Sequence, residues 1–167
     1  MQKQLLGASL LLIIGLVGRL VPHPPNFTPV EAVALFGGAW LSPFWLSLLV
    51  PLGVMAISDL ILGWHNLWPF TWGGMLIGTY LGHYVMQTHR WVSVAGTATL
   101  QATLFFLLTN FGVWIGGYYG HTFTGLITCY VAAIPFYHYQ VLGALSYSTL
   151  FWAAEHSLFR RLMPARR

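Results

Sequence analysis

The sequence has very few charged residues. Of its 167 residues, seven are Lys or Arg and three are Asp or Glu, 6% in all. A soluble domain carries about 25% charged residues. With 57% hydrophobic residues and a mean hydropathy of +0.69, the chain cannot cover a water-facing surface. This composition excludes a soluble domain and predicts an all-α integral membrane protein that forms one domain over residues 1–167.

Cysteine is also nearly absent, since Cys129 is the only one. A single cysteine excludes an intrachain disulfide and any CxxC motif for zinc or redox chemistry. The sequence contains no P-loop, no GxGxxG motif, no Ser/His/Asp order and no pair of carboxylates at catalytic spacing. We therefore predict that the protein is not an enzyme, and the sequence identifies no cofactor. Cys129 itself is expected to be a small buried residue.

Prolines are concentrated in one short stretch near the N-terminus. Four of them fall within residues 22–29 and cannot continue a helix, because proline lacks the backbone N–H donor. Thr28 followed by Pro29 predicts a helix start, with Thr28 as the cap and Glu31 as its capping-box partner. Glu31 could instead serve a binding site, as one of only three acids in the chain.

Apolar runs separated by turn signals predict a six-transmembrane-helix bundle. The stretch 109–122 is polar and aromatic and is expected to be a loop. The apolar run 123–133 is too short to cross a hydrocarbon core of about 30 Å, and Pro135 follows it. We therefore expect a short non-spanning helix before the last span. The predicted spans are residues 5–21, 30–41, 44–62, 70–87, 91–108 and 136–158.

Basic residues predict the orientation of these spans. Four of the seven lie within the last eight residues, and Arg90 is the only charge in an interior loop. Because cytoplasmic loops and tails are enriched in Lys and Arg, six spans place both termini in the cytoplasm. Arg19 then falls on the outer side, against the rule.

This topology places three long polar connections at the outer side, residues 19–29, 63–69 and 109–122. Each contains a histidine and an asparagine, and two contain tryptophans. Polar groups and aromatics that converge at one membrane face are typical of a small-molecule pocket. The residues predicted to bind substrate, through hydrogen bonds, stacking or polar contact, are Asn26, Glu31, Asp59, His65, Asn66, Asn110, Trp114 and His121.

Each of these residue types also has a structural explanation. Asp59 lies near a helix end and could be an interfacial carboxylate that pairs with a neighbour. Tryptophans line any membrane interface as anchors. His23, His65 and His121 could hold a metal ion if the three loops meet, because neutral imidazole is a good ligand. No two histidines have the spacing of a zinc-binding helix, so no metal ligands are assigned.

Motifs occur over nearly the whole chain, at residues 26–39 (NFTPVEAVALFGGA), Pro51, 58–63 (SDLILG), 109–114 (TNFGVW), 125–130 (GLITCY) and Pro135-Phe136. Together they resemble an uncharacterised bacterial membrane family grouped with transport proteins. That family is in turn similar to the substrate-binding S-components of energy-coupling factor (ECF) vitamin transporters. The resemblance implies a six-helix membrane protein with cytoplasmic termini, which binds vitamins or metal ions from outside with the loops after helices one, three and five.

The functional hypothesis is therefore a substrate-binding protein of a vitamin-like or metal-ion uptake system in the bacterial inner membrane. The expected partners are the lipid bilayer, the ligand, and either an ECF energising module (T subunit and ATPases) or subunits of another membrane complex, but no nucleic acid. In S-components a small-residue AxxxA-like motif on helix one docks the T subunit. Here the better small-residue pair, Ala34 and Gly38, lies in the second segment, where one helix face allows close backbone approach.

A second hypothesis comes from the abundance of aromatic residues and histidines. Eight tryptophans, eleven phenylalanines and seven histidines would suit the packing and axial ligation of large rings. The chain could then be an accessory subunit of a larger membrane complex that holds haem or chlorophyll-type pigments. A visible absorption band after purification distinguishes this alternative from uptake of a small molecule.

Overall fold

The computed structural model describes residues 1–86 and 90–157. Within these ranges the chain is all helical, with six helices and no strand, which confirms the all-α part of the prediction. The arginines at the end of the chain, on which the predicted orientation depends, lie outside the described residues. The helices are α1 (Gln2–Leu20), α2 (Val30–Trp40), α3 (Phe44–Leu62), α4 (Trp68–Tyr84), α5 (Trp91–Ile115) and α6 (Phe123–Ser157).

The short helix α2 lies at the centre of the bundle. It packs against each of the other five helices. Nine of its eleven residues are buried. A helix that is apolar all round is stable only when neighbours enclose it. The prolines before α2 and Ser42-Pro43 after it limit its length. The helix therefore lies in the core of the bundle but is shorter than the bundle.

Glycines bring α2 and α4 into direct backbone contact. A Cβ atom added at Gly38 would overlap the carbonyl oxygen of Thr79, and one added at Gly82 would overlap the carbonyl oxygen of Leu35. The spacing of Ala34 and Gly38 predicts this close approach. Without side chains at these glycines, the two helices can pack at a distance that larger residues would prevent.

Three of the helices are long and apolar enough to cross a membrane, namely α1, α3 and α5. The bounds of α3 agree with the predicted span 44–62. The central helix α2 is apolar but shorter, with 11 residues. The described part of the chain therefore has six helices, three of which are candidate spans, and the six predicted membrane spans are not established.

The predicted short helix before the last span is wrong, because α6 continues through Pro135 as one helix of 35 residues. Proline removes one backbone hydrogen bond, and packing by a neighbouring helix can compensate for that loss. Here α5 holds the preceding turns of α6. The Tyr130 hydroxyl donates to the carbonyl of Leu107 at 2.6 Å, and Cys129 Sγ donates to that of Asn110 at 3.4 Å.

The predicted loop 109–122 is also partly wrong, because α5 continues to Ile115. The side chains of Thr109 and Asn110 each donate to the carbonyl four residues earlier, both at 2.8 Å. These hydrogen bonds satisfy the polar groups within the helix, so polarity alone does not end it. The actual connection between α5 and α6 is residues 116–122.

Replacement of Gly82 by alanine is expected to destabilise the protein. The added methyl group would meet the backbone of α2, which cannot move aside as a side chain can. Overpacking costs about 1–3 kcal/mol and more against backbone, which outweighs the gain of about 1 kcal/mol in helix propensity from Gly to Ala. Thermal unfolding of the purified protein in detergent measures the difference.

Gly96→Ala is the matched control. Gly96 lies on α5, and nothing within 4 Å would meet its added Cβ. This variant should unfold at the same temperature as the parent chain or slightly above it. Equal stability of Gly82→Ala and Gly96→Ala would contradict the proposed contact between α2 and α4.

Candidate functional site

A cavity of about 430 Å³ lies at one end of the bundle, and all six helices contribute to its wall. It is formed by late residues of α1, α3 and α5 and by early residues of α2, α4 and α6. Residues from all three predicted outer connections therefore line a single cavity. Its apolar lining residues are Val30, Met55, Leu62, Leu67, Met75, Phe105, Phe106, Val113, Ala133 and Phe136.

Glu31 is the only acid in the wall of this cavity, and its side chain is 6% exposed. Its Oε1 accepts a hydrogen bond of 2.7 Å from Gln140 Nε2, which also donates to the carbonyl of Ala102 at 3.1 Å. Its Oε2 has no hydrogen-bond partner among the described residues. The predicted capping box with Thr28 is wrong, because α2 has no side-chain cap and Gln140 takes the carboxylate oxygen instead.

Asp59 lies behind the cavity wall and is 1% exposed. Its Oδ1 accepts a hydrogen bond of 2.6 Å from Arg19 Nη2, and its Oδ2 accepts one of 2.9 Å from Trp72 Nε1. His65 Nε2 lies 3.4 Å from the same Oδ2. Arg19 lines the cavity, and its Nη1 contacts Met55 Sδ. Asp59 is therefore a buried, paired carboxylate, which is the structural alternative considered for it.

Three of the eight predicted substrate-binding residues line the cavity: Asn26, Glu31 and Asn110. Asn26 has a φ of 61°, in the left-handed region that asparagine adopts more readily than most residues. Asn110 donates its Nδ2 to the carbonyl of Phe106 on its own helix. Asp59 is separated from the cavity by Arg19.

The other predicted residues do not line the cavity. Asn66 is exposed. Trp114 Nε1 donates to the carbonyl of Thr122 at 3.2 Å, and His121 Nε2 donates to the carbonyl of Ile115 at 2.8 Å. These two hydrogen bonds join the connection 116–122 to the end of α5. Trp114 and His121 thus have a structural role there, apart from the cavity.

The three histidines of the predicted connections do not form a metal site. His23 Nδ1 faces the carbonyl of Pro24 at 2.8 Å, whereas His65 lies beside Asp59 and His121 lies at the end of α5. Within residues 1–86 and 90–157, no three His, Cys, Asp or Glu side chains lie close enough together to bind a metal ion. Convergence of the loops therefore does not bring their histidines together.

Sequence reasoning missed Arg19 and Gln140, which line the cavity, and Trp72, which donates to Asp59. Arg19 was treated as an exception to the orientation rule, although a charge at the end of an apolar helix usually has a partner. Gln140 could have been identified in the same way, because an amide within an apolar helix requires hydrogen-bond partners when it is buried. Trp72 had no such signal, since its residue type is equally expected in an interfacial belt.

These features define the chain as a helical protein with three helices that could cross a membrane and with a cavity at one end of the bundle, whose wall contains one incompletely bonded carboxylate. The chain belongs to DUF6580, a family of unknown function, whose model matches residues 1–165. No curated protein and no solved structure matches it. The resemblance to ECF S-components and to transport proteins therefore stays a prediction.

Arg19→Met is expected to destabilise the protein by about 3–5 kcal/mol, because it leaves Asp59 buried without its cation. The double variant Arg19→Met with Asp59→Asn should recover most of that loss, because asparagine is neutral and can still accept from Trp72. The free energy of unfolding in detergent gives the coupling between the two positions.

Arg90→Met serves as the control, since Arg90 is an exposed basic residue at the start of α5. It should change stability by less than about 0.5 kcal/mol. Additive effects of the two substitutions at Arg19 and Asp59 would contradict a structural ion pair.

Proposed function

We propose that this protein is the substrate-binding subunit of a small-molecule uptake system and binds its ligand in the cavity from the outer side of the bacterial inner membrane. The observation that carries the proposal is the cavity of about 430 Å³ bounded by all six helices. Small-molecule sites typically have volumes of about 300–1,000 Å³. Protein interiors are otherwise close-packed, so a space of this size within a bundle supports a bound ligand.

The chemistry of the wall supports an organic ligand of vitamin-like size. Ten apolar and nine polar or charged residues line the cavity, so its wall can contact both the apolar body and the polar groups of an organic molecule. A metal ion is less consistent with this wall, because the described residues offer no group of three ligating side chains. The polar groups would orient the ligand, and the apolar groups would bury its body.

The distribution of basic residues supports an outward-facing cavity. Lys3 begins α1 and Arg90 precedes α5, both at the end of the bundle opposite the cavity. Arg19 lies at the cavity end, but its charge is paired with that of Asp59. It therefore says little about the orientation of the bundle. The positive-inside rule then favours a cytoplasmic location for the opposite end of the bundle.

Uptake also requires the cavity to open toward the cytoplasm. An ECF energising module (T subunit and ATPases) would drive this opening in the scheme that the resemblance implies. Ala34 and Gly38 are buried within the bundle, so this small-residue pair does not dock a T subunit. The exposed apolar residues Leu6, Ile13 and Val17 share one face of α1 and are available to lipid or to such a partner.

Filling the cavity should remove its ligand. Val113 lines the cavity on α5, and Val113→Trp adds bulk directly into that space. The small molecule that copurifies with the parent chain, extracted and quantified by mass spectrometry, should fall at least about tenfold in this variant, as expected when a buried contact surface is lost.

Val92→Trp provides the matched control, because Val92 is on the same helix and is 79% exposed. Its ligand content should equal that of the parent chain. Unchanged ligand content in Val113→Trp would contradict binding in this cavity. A pigment with a visible absorption band as the copurifying molecule would favour the accessory-subunit alternative.

A further inference from the structure

We infer that the ligand of this cavity is a small organic cation, a protonated amine or amidine on an apolar or aromatic body, whose charged group meets Glu31. The inference rests on the proposed function and specifies its substrate class. Its first observation is the carboxylate itself. The Glu31 side chain is 6% exposed and lines the cavity, Gln140 occupies Oε1, and Oε2 has no partner among the described residues.

The charges around the cavity leave Glu31 without a cation of its own. Arg19 is the one arginine in the wall, and its guanidinium is paired with Asp59 at 2.6 Å. His65 also faces Asp59, and no Lys, Arg or His in the described ranges forms an ion pair with Glu31. A buried carboxylate without a cationic partner is costly. A cationic group on the ligand would satisfy both the charge and the free oxygen.

Three polar side chains of the wall complement a donor rather than an acceptor. The hydroxyls of Thr71 and Thr109 donate to carbonyls of their own helices, at 3.3 Å and 2.8 Å. Gln140 Nε2 donates to two acceptors, Glu31 and the carbonyl of Ala102, which leaves its Oε1 as an acceptor. Since these donors are already used, the remaining capacity of these side chains lies mainly in oxygen lone pairs.

The apolar part of the wall fits the body of such a ligand. Phe105, Phe106 and Phe136 line the same cavity as Glu31, together with Met75. Aromatic faces attract a cation within about 6 Å of the ring centre and also pack against a planar ring. A compact molecule with one charged end and one apolar or aromatic end would use both parts of the wall.

Three probes of nearly equal shape test the charge preference on the purified full-length chain in detergent at neutral pH. They are benzamidine, a cation, benzamide, which is neutral, and benzoate, an anion. Isothermal titration calorimetry should show benzamidine binding at least about tenfold more tightly than benzamide, the usual worth of a hydrogen bond to a charged group. Benzoate should bind most weakly, because it would meet Glu31 with like charge.

Glu31→Gln keeps the shape of the side chain and removes its charge. In this variant the affinity for benzamidine should fall to that of benzamide, while the affinity for benzamide stays close to its value in the parent chain. Glu155→Gln is the control, since it removes an acid from α6 fifteen residues beyond Gln140, about 22 Å along the helix. It should leave the preference for benzamidine unchanged.

Equal affinities for benzamidine and benzamide, tighter binding of benzoate, or no binding of any probe would each overturn the inference. The ranking on the parent chain needs no variant, so the test stands even where Glu31→Gln does not fold. A neutral or anionic molecule that copurifies in the cavity would overturn the substrate class and leave the proposed function intact. Benzamidine binding that depends on Glu31, in a protein that neither retains nor imports a small molecule, would instead contradict uptake.

Discussion

The backbone contact between α2 and α4 is the constraint on which the rest of the structure depends. Because Gly38 and Gly82 carry no side chain, α2 can lie at the centre of the bundle and pack against every other helix. With 11 residues it is about 16 Å long, whereas α3 with 19 residues extends about 28 Å. The cavity lies beside Val30 and Glu31, at the start of this short helix. Because the central helix is short and begins only at Val30, it leaves space at this end of the bundle that the outer helices enclose.

The two buried acids, Asp59 and Glu31, differ in the hydrogen-bond and charge partners of their carboxylates. Asp59 has an arginine, an indole N–H and a histidine around its two oxygens, so its charge is compensated within the chain. Glu31 has an amide on one oxygen and, among the described residues, nothing on the other. Removal of one partner from a fully paired buried carboxylate leaves an uncompensated charge, whereas a half-paired carboxylate in a cavity wall retains hydrogen-bonding capacity. Geometry therefore separates two residues that the sequence treats alike.

The sequence anticipates the cavity better than it anticipates its chemistry. Asn26, Glu31 and Asn110 were selected because polar residues flank apolar runs, and all three line the cavity. The same reasoning selects Trp114 and His121, which do not line the cavity and whose hydrogen bonds join the connection 116–122 to the end of α5. Residue type and position along a helix indicate the end of the bundle on which a side chain lies. They do not indicate whether it points inward.

Local patterns by themselves determined the helical fold, the bounds of α3 and the break after α1, because apolar runs and prolines act on neighbouring residues. Tertiary structure alone decided that α6 continues through Pro135. It also decided that Gln140 reaches Glu31 across 109 positions and that Arg19 reaches Asp59 across 40. Such pairs depend on how whole helices pack. No local pattern encodes the distance between two helices, so the partner of a buried charge becomes visible only in the folded bundle.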